Sequence, residues 1–177
     1  TILIDGIDIA QIDPADLRKG ISYVPQDIHL FGGTIKQNIL GIHKFIDDEW
    51  MLECSKTSGT DEFVRMHPAG YDMPLGERGA GLSGGQRQSV GIARALINNS
   101  DIWMFDEPTN AMDQTSESIV LNNLMSKVEG KTLLLVTQKM SMVDLVDRII
   151  VMNFGSKVLD GPKDEIINKL GNSGEKQ

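Results

Sequence analysis

Two short stretches carry residues whose types and spacing could do chemistry. Leu82-Ser83-Gly84-Gly85-Gln86 stands where a glycine-rich connection gives way to a helical apolar pattern. Ser83 is suited to cap that helix. The amides of Gly84, Gly85 and Gln86 would then stay unpaired at the positive end of the helix dipole, and two glycines let an anion approach the backbone. A phosphate fits such a cradle, and so does a plain glycine-tolerant helix start. Asp101-Ile102-Trp103-Met104-Phe105-Asp106-Glu107 ends an apolar run in two adjacent carboxylates. That is the carboxyl end of a strand, the edge where open α/β sheets bind ligands. One acid can hold a magnesium ion, largely through water, while its neighbour orients or deprotonates an attacking water. A phosphate cradle a short way upstream favours this reading over an acidic strand-to-loop cap.

The elements that must position these residues can be read from periodicity and punctuation. Thr1 to Ile9 reads as two short strands around Asp5-Gly6, and Asp13-Pro14 through Gly20 as one or two helical turns. Ile21 to Val24 is a strand running into Pro25-Gln26-Asp27. From Thr34 to about Asn98 the pattern is helical, with starts at Thr34, Asp47, Thr60 and Ser83; Val90, Ala93, Leu96 and Ile97 recur at helical spacing on the last of these. Ile102 to Phe105 and Thr132 to Val136 lack alternation, as strands covered on both faces do. Ser116 to Val128 is a helical face, and Ser141 with Asp144 suggests a capped helix through Val146. Ile149 to Met152 and Lys157 to Leu159 make a hairpin, Pro162 opens a last helix, and Gly171 to Gln177 reads as a disordered tail.

Composition bounds the function classes. The chain has 177 residues, 17 Lys+Arg against 25 Asp+Glu and a net charge of −8, with 40% hydrophobic and 24% charged residues. These are globular proportions, and the acidic balance argues against a broad nucleic-acid surface. Its single cysteine, Cys54, excludes an internal disulfide and a multi-cysteine zinc site, and reads as core filler. His29, His43 and His67 lack metal-ligand spacing, and Trp50 and Trp103 read as packing residues.

The glycine cradle and the acid pair, in this order, resemble the nucleotide-binding domain of ATP-binding cassette (ABC) proteins over essentially the whole chain. The resemblance implies an α/β, P-loop NTPase-like (RecA-like) core sheet with an inserted helical subdomain. Residues 1–33 and 99–170 would belong to the catalytic core and 34–98 to the helical subdomain, with 171–177 as the tail. It implies ATP and Mg2+ as ligands. Ser83, Gly84, Gly85 and Gln86 resemble the signature motif, which presses on the γ-phosphate bound by an opposite subunit. Asp106 and Glu107 resemble the end of the Walker B strand, with Glu107 as general base. Gln26 resembles the Q-loop glutamine that meets magnesium alongside Asp106, and Asn110-Ala111-Met112-Asp113 resembles the D-loop. Leu30 to Ile35 and Gly76-Glu77-Arg78-Gly79 are similar to exporters, where Glu77 and Arg78 would touch the membrane domain. His67 to Asp72, together with Met112, looks most like type I secretion exporters of large RTX-type adhesins.

Three departures qualify the likeness. No Gly-x-x-x-x-Gly-Lys-Ser/Thr occurs, and Thr1 falls in mid-strand with no initiator Met, so the reading expects a piece of a longer polypeptide whose phosphate loop precedes residue 1. Gln138 stands where the family usually has its switch histidine, and can bond a γ-phosphate without carrying charge. Gly32 replaces a bulkier residue. The implied partners are a second nucleotide-binding domain in a head-to-tail dimer, a transmembrane domain of the same polypeptide, and secreted protein cargo with type I secretion partners. The implied location is the cytoplasmic face of the inner membrane. Two alternatives stay open: a degenerate half-site that only pairs with an intact partner, and a soluble ABC ATPase acting on nucleic acid or ribosomes.

Overall fold

The computed structural model describes residues 1–43 and 45–174, in two units, one ending at Val136 and the other beginning at Thr137. The first unit opens with β1 (Leu3–Ile4) and β2 (Ile7–Asp8), antiparallel across a turn in which Asp5 and Gly6 both have positive φ, the turn that Asp-Gly favours. Helix α1 (Pro14–Gly20) starts as its punctuation demands, the Asp13 carboxylate accepting from the Ala15 amide, and leads into β3 (Ile21–Val24).

A small antiparallel pair frames the next helices: β4 (Gly33–Thr34) later pairs with β5 (Pro74–Leu75). Between them lie α2 (Ile35–Leu40), α3 (Asp48–Thr57) and α4 (Thr60–Val64). Thr34 and Gln37 form a reciprocal capping box on α2, and Asp47 caps α3. Helix α4 opens at Thr60 as expected. Gly59, with φ at 75°, makes the turn, and Thr60 is buried with its hydroxyl on Ser58.

Helix α5 (Gly84–Ile97) is the spine of this unit. Helices α2, α3 and α4 pack on it, and so does β3. Val90, Ala93, Leu96 and Ile97 are all buried, as their spacing requires. At Gly91 a Cβ would lie 2.5 Å from Ile28, so only glycine admits the segment after Gln26 so close to the helix. Ser22 pins β3 to α5 through the Ala95 carbonyl and is itself bonded by Ser100.

The main sheet is parallel, in the order β3–β6–β7, with β6 (Ile102–Asp106) central and β7 (Thr132–Val136) at an edge; α6 (Gln114–Met125) connects them. Trp103 and Phe105 are buried and stacked, with centroids 5.5 Å apart. Strand β7 differs from the expectation of burial on both faces. Leu134 and Val136 are 53% and 55% exposed, because within this unit only the Leu133 and Leu135 face is covered. Cys54 is buried on α3, and burial, aided by the Glu53 charge, pushes its thiol up to about 12, which suits an inert core residue.

The second unit contains the hairpin β8 (Arg148–Asn153) and β9 (Ser156–Pro162), then α7 (Lys163–Gly174). Ser141 and Asp144 do not start an α-helix. Residues Met140–Leu145 form a 3-10 turn after Lys139, with no side-chain cap. Its buried residues, Met142 and Leu145, are spaced by three, the 3-10 period. Gly171 to Gly174 continue α7 rather than begin a disordered tail, and residues 175–177 lie outside the described residues.

Candidate active site

The register places the candidate residues along one edge. Val24 pairs with Phe105 and Phe105 with Leu135, so β3, β6 and β7 end together. Gln26, exposed, and Asp106, half-buried, leave neighbouring strands at this carboxyl edge. Glu107 comes next, only 9% exposed. Its φ of 46° is left-handed, a conformation that costs a non-glycine residue about 1–3 kcal/mol unless its surroundings hold it. They do. Its amide donates to the Val136 carbonyl at 2.9 Å, and its own carbonyl accepts from the Asn110 amide at 3.2 Å and from Gln88 Nε2 at 3.3 Å. The turn gives Asp106 and Glu107 different surroundings, the first half-buried and the second buried.

The glycine cradle opens α5 as expected, with one correction. Ser83 is the cap, but the Gln86 amide is not free: it donates to Ser83 Oγ, while Gln86 Oε1 accepts from the Ser83 amide. Only the Gly84 and Gly85 amides hold the first two helical positions, which have no acceptor within the helix. The glycines answer a second demand too. A Cβ at Gly84 would sit 2.9 Å from Ala111 Cβ, and one at Gly85 3.1 Å from the Ala111 carbonyl oxygen. One side of the cradle therefore packs on the segment Asn110–Asp113, while the residues stay half-exposed on the other.

Asp113 caps α6, accepting from the Thr115 and Ser116 amides and the Ser116 hydroxyl; the Ser116 bonds hold its carboxyl below the usual range. A cleft of about 230 Å³ brings Ser83, Gly85, Gln86 and Asp113 together between α4, α5 and α6. Gln26, Asp106 and Glu107 do not line it. Glu77 and Arg78 lie on an exposed 3-10 turn, Glu77–Gly79, with Arg78 at φ 56°. A Cβ on Gly79 would meet Leu30 at 2.9 Å and Arg87 at 3.1 Å, so the turn rests on both the segment after Gln26 and the cradle helix. Gln138 is exposed in the second unit.

Among the described residues no cluster of three or more His, Cys, Asp or Glu could hold a metal unaided. Asp106 and Gln26 offer one carboxylate and one amide oxygen, a hard donor pair that suits a magnesium ion sharing its sphere with water and phosphate oxygens.

Two contacts escaped the sequence reading. Gln88, 5% exposed, bridges from α5 to the Glu107 carbonyl and the Ala111 amide. Its signal was a polar residue in line with Ile92 and Ala95 on the buried face. Arg94 reaches the Asn38 and His29 carbonyls at 2.7 and 2.9 Å and lies over the Phe31 ring, with burial pushing its guanidinium down. It ties the segment after Gln26 to α2 and α5.

Comparison with known proteins decides the family. Residues 1–110 match the family model described as ABC transporter. The chain belongs to the ABC transporter family. It is 42% identical over 166 residues to the leukotoxin translocation ATP-binding protein LktB of a Pasteurella haemolytica-like species (strain 5943B), and equally to those of Mannheimia glucosida and Bibersteinia trehalosi. Each alignment covers 94% of this chain and 23% of the relative, so the ABC chain spans about a quarter of these proteins. A bacterial Atm1-family ABC exporter, solved with ATP bound, superposes with a TM-score of 0.89 at 33% identity over 94% of this chain and 30% of that one. The α/β, P-loop NTPase-type fold expected from the sequence is thus shown, as is the likeness to ABC exporters of the type I secretion kind.

Proposed function

We propose that the chain is part of the nucleotide-binding domain of a membrane exporter that hydrolyses ATP to drive protein secretion of type I. The observation that carries this reading is the left-handed turn at Glu107: it holds a buried glutamate at the carboxyl edge of the sheet, next to Asp106 and tied through Gln88 to the helix that carries the glycine cradle. The names of the LktB relatives, which concern leukotoxin translocation, support a protein cargo. No helix among the described residues is long and apolar enough to cross a membrane, and the membrane domain would come from another part of the polypeptide.

Two such domains would pair head to tail at the cytoplasmic face of the inner membrane. Ser83, Gly84 and Gly85 of one would face the γ-phosphate of ATP held by the other. Gln86 would act indirectly, by holding the Ser83 turn through the capping box. Glu107 would polarise the attacking water and accept its proton as the γ-phosphoryl is transferred in line. Magnesium, when bound, neutralises phosphate charge, with Asp106 and Gln26 as its protein donors. Asp113 would order the start of α6 at the dimer contact. Movement would pass to the membrane domain through the packed set Leu30, Gly79 and Arg87, with Glu77 and Arg78 at its exposed end.

A second reading, a degenerate half-site that works only beside an intact partner, is favoured by Gln138. Steady-state turnover with Mg-ATP separates the two. The complete protein, purified alone, is expected to hydrolyse ATP, whereas residues 1–177 alone are expected to show no turnover and very weak binding. Turnover by the complete protein only after a different nucleotide-binding domain is added would support the half-site, and micromolar ATP affinity in the isolated chain would refute the expectation for the fragment.

A further inference from the structure

The Gln88 side chain sits between three functional segments, and its chemistry is specific to that place. It lies on the buried face of α5, where Ile92 and Ala95 show that apolar residues pack well. A buried amide is costly there unless both ends are paired. Both are: Nε2 donates to the Glu107 carbonyl at 3.3 Å and Oε1 accepts from the Ala111 amide at 2.8 Å. The orientation of the amide follows from these partners, one an acceptor and one a donor. Glu107 is held in a left-handed turn whose other restraints come from Val136 and Asn110. Ala111 is also the residue that Gly84 and Gly85 approach. One side chain thus joins the turn that aims Glu107, the Asn110–Asp113 segment and the helix that carries the glycine cradle.

We propose that Gln88 is a positioning residue for ATP hydrolysis, an inference that rests on the ATPase reading above. By fixing the Glu107 carbonyl and the Ala111 amide together, it makes the aim of the Glu107 carboxylate depend on where the glycine cradle stands. A shift of the cradle when it meets nucleotide across the dimer is then felt at Glu107 of the same chain. Gln88 itself is buried and would act without touching ATP. Its effect falls on the chemical step and spares nucleotide binding.

The test is a kinetic comparison in the complete protein, with Gln88→Met, which keeps volume but loses both hydrogen bonds, and Gln88→Glu, which keeps an acceptor for Ala111 but cannot donate to Glu107 when ionised. Both variants are expected to lower kcat about tenfold, the scale of losing one or two buried hydrogen bonds, with KM for ATP within about twofold and the thermal midpoint little changed. A kcat within twofold of wild type in a folded variant overturns the proposal. So does a rise in KM at unchanged kcat. If Gln88→Met does not fold, Gln88→Glu decides by the same criteria, and failure of both to fold assigns Gln88 to the fold alone. The wild type keeps the two readings apart. A complete protein without turnover removes the ATPase reading and this inference with it, whereas normal wild-type turnover with an unchanged Gln88→Met kcat removes only the role of Gln88.

Discussion

Replacing Glu107 with Gln in the complete protein is expected to slow ATP turnover by about 100- to 10,000-fold while ATP still binds, the range for loss of a positioned general base. The expectation comes from how Glu107 is held. The turn is held through the main chain of Glu107: its amide donates to the Val136 carbonyl, and its carbonyl accepts from the Asn110 amide and from Gln88 Nε2. An amide of the same shape leaves them all in place. What it removes is the group that polarises the water and takes its proton. Binding and chemistry should therefore separate, with kcat falling and ATP-bound protein accumulating. Turnover within threefold of wild type would place the base elsewhere.

The second large effect is a gain. Gln138→His is expected to raise turnover of the complete protein by about 10- to 100-fold, the equivalent of roughly 1–3 kcal/mol of transition-state stabilisation. Gln138 is exposed, so the change displaces no packed side chain. A glutamine can donate to a γ-phosphate oxygen and accept from a water, but it stays neutral. A histidine adds a positive charge when protonated. The charged fraction grows as pH falls through about 6.5, so the advantage should be largest on the acid side and shrink above neutrality. Turnover that is unchanged between pH 6 and 8, on the scale of an ordinary histidine pKa of about 6.5, would show that position 138 does not meet the developing charge.

Local signals read well where local physics decides. The Asp-Gly turn, the Asp13-Pro14 helix start, the Thr34 cap and the Ser83 cap all form as their residues dictate. The apolar stripe of α5 is buried, and the strand before Asp106-Glu107 is central. Reading fails where the deciding partner is distant. The uninterrupted run in β7 registers burial on both faces, but this unit covers one, leaving Leu134 and Val136 exposed. The Gln86 amide looked available to a ligand because its competitor, the Ser83 hydroxyl, is chosen only when the capping box closes. Gly84 and Gly85 read as room for an anion, while their approach to Ala111 depends on a segment beyond the end of α5. Gln88 could be marked as a polar residue on an apolar face. Its partner, a carbonyl turned inward by the positive φ of Glu107, could not be foreseen without the fold.

We propose a working site built from two molecules, the Ser83 to Gln86 turn of one and Glu107 of the other. Co-expression of complete protein carrying Ser83→Arg with complete protein carrying Glu107→Gln tests it most directly. Each variant alone should be nearly inactive. A mixed head-to-tail dimer holds one site with Glu107 from the first protein and Ser83 from the second, so ATP turnover should return when both are present. If both residues served a site within one chain, no pairing could restore it, and a mixture as inactive as its components would contradict the two-molecule site.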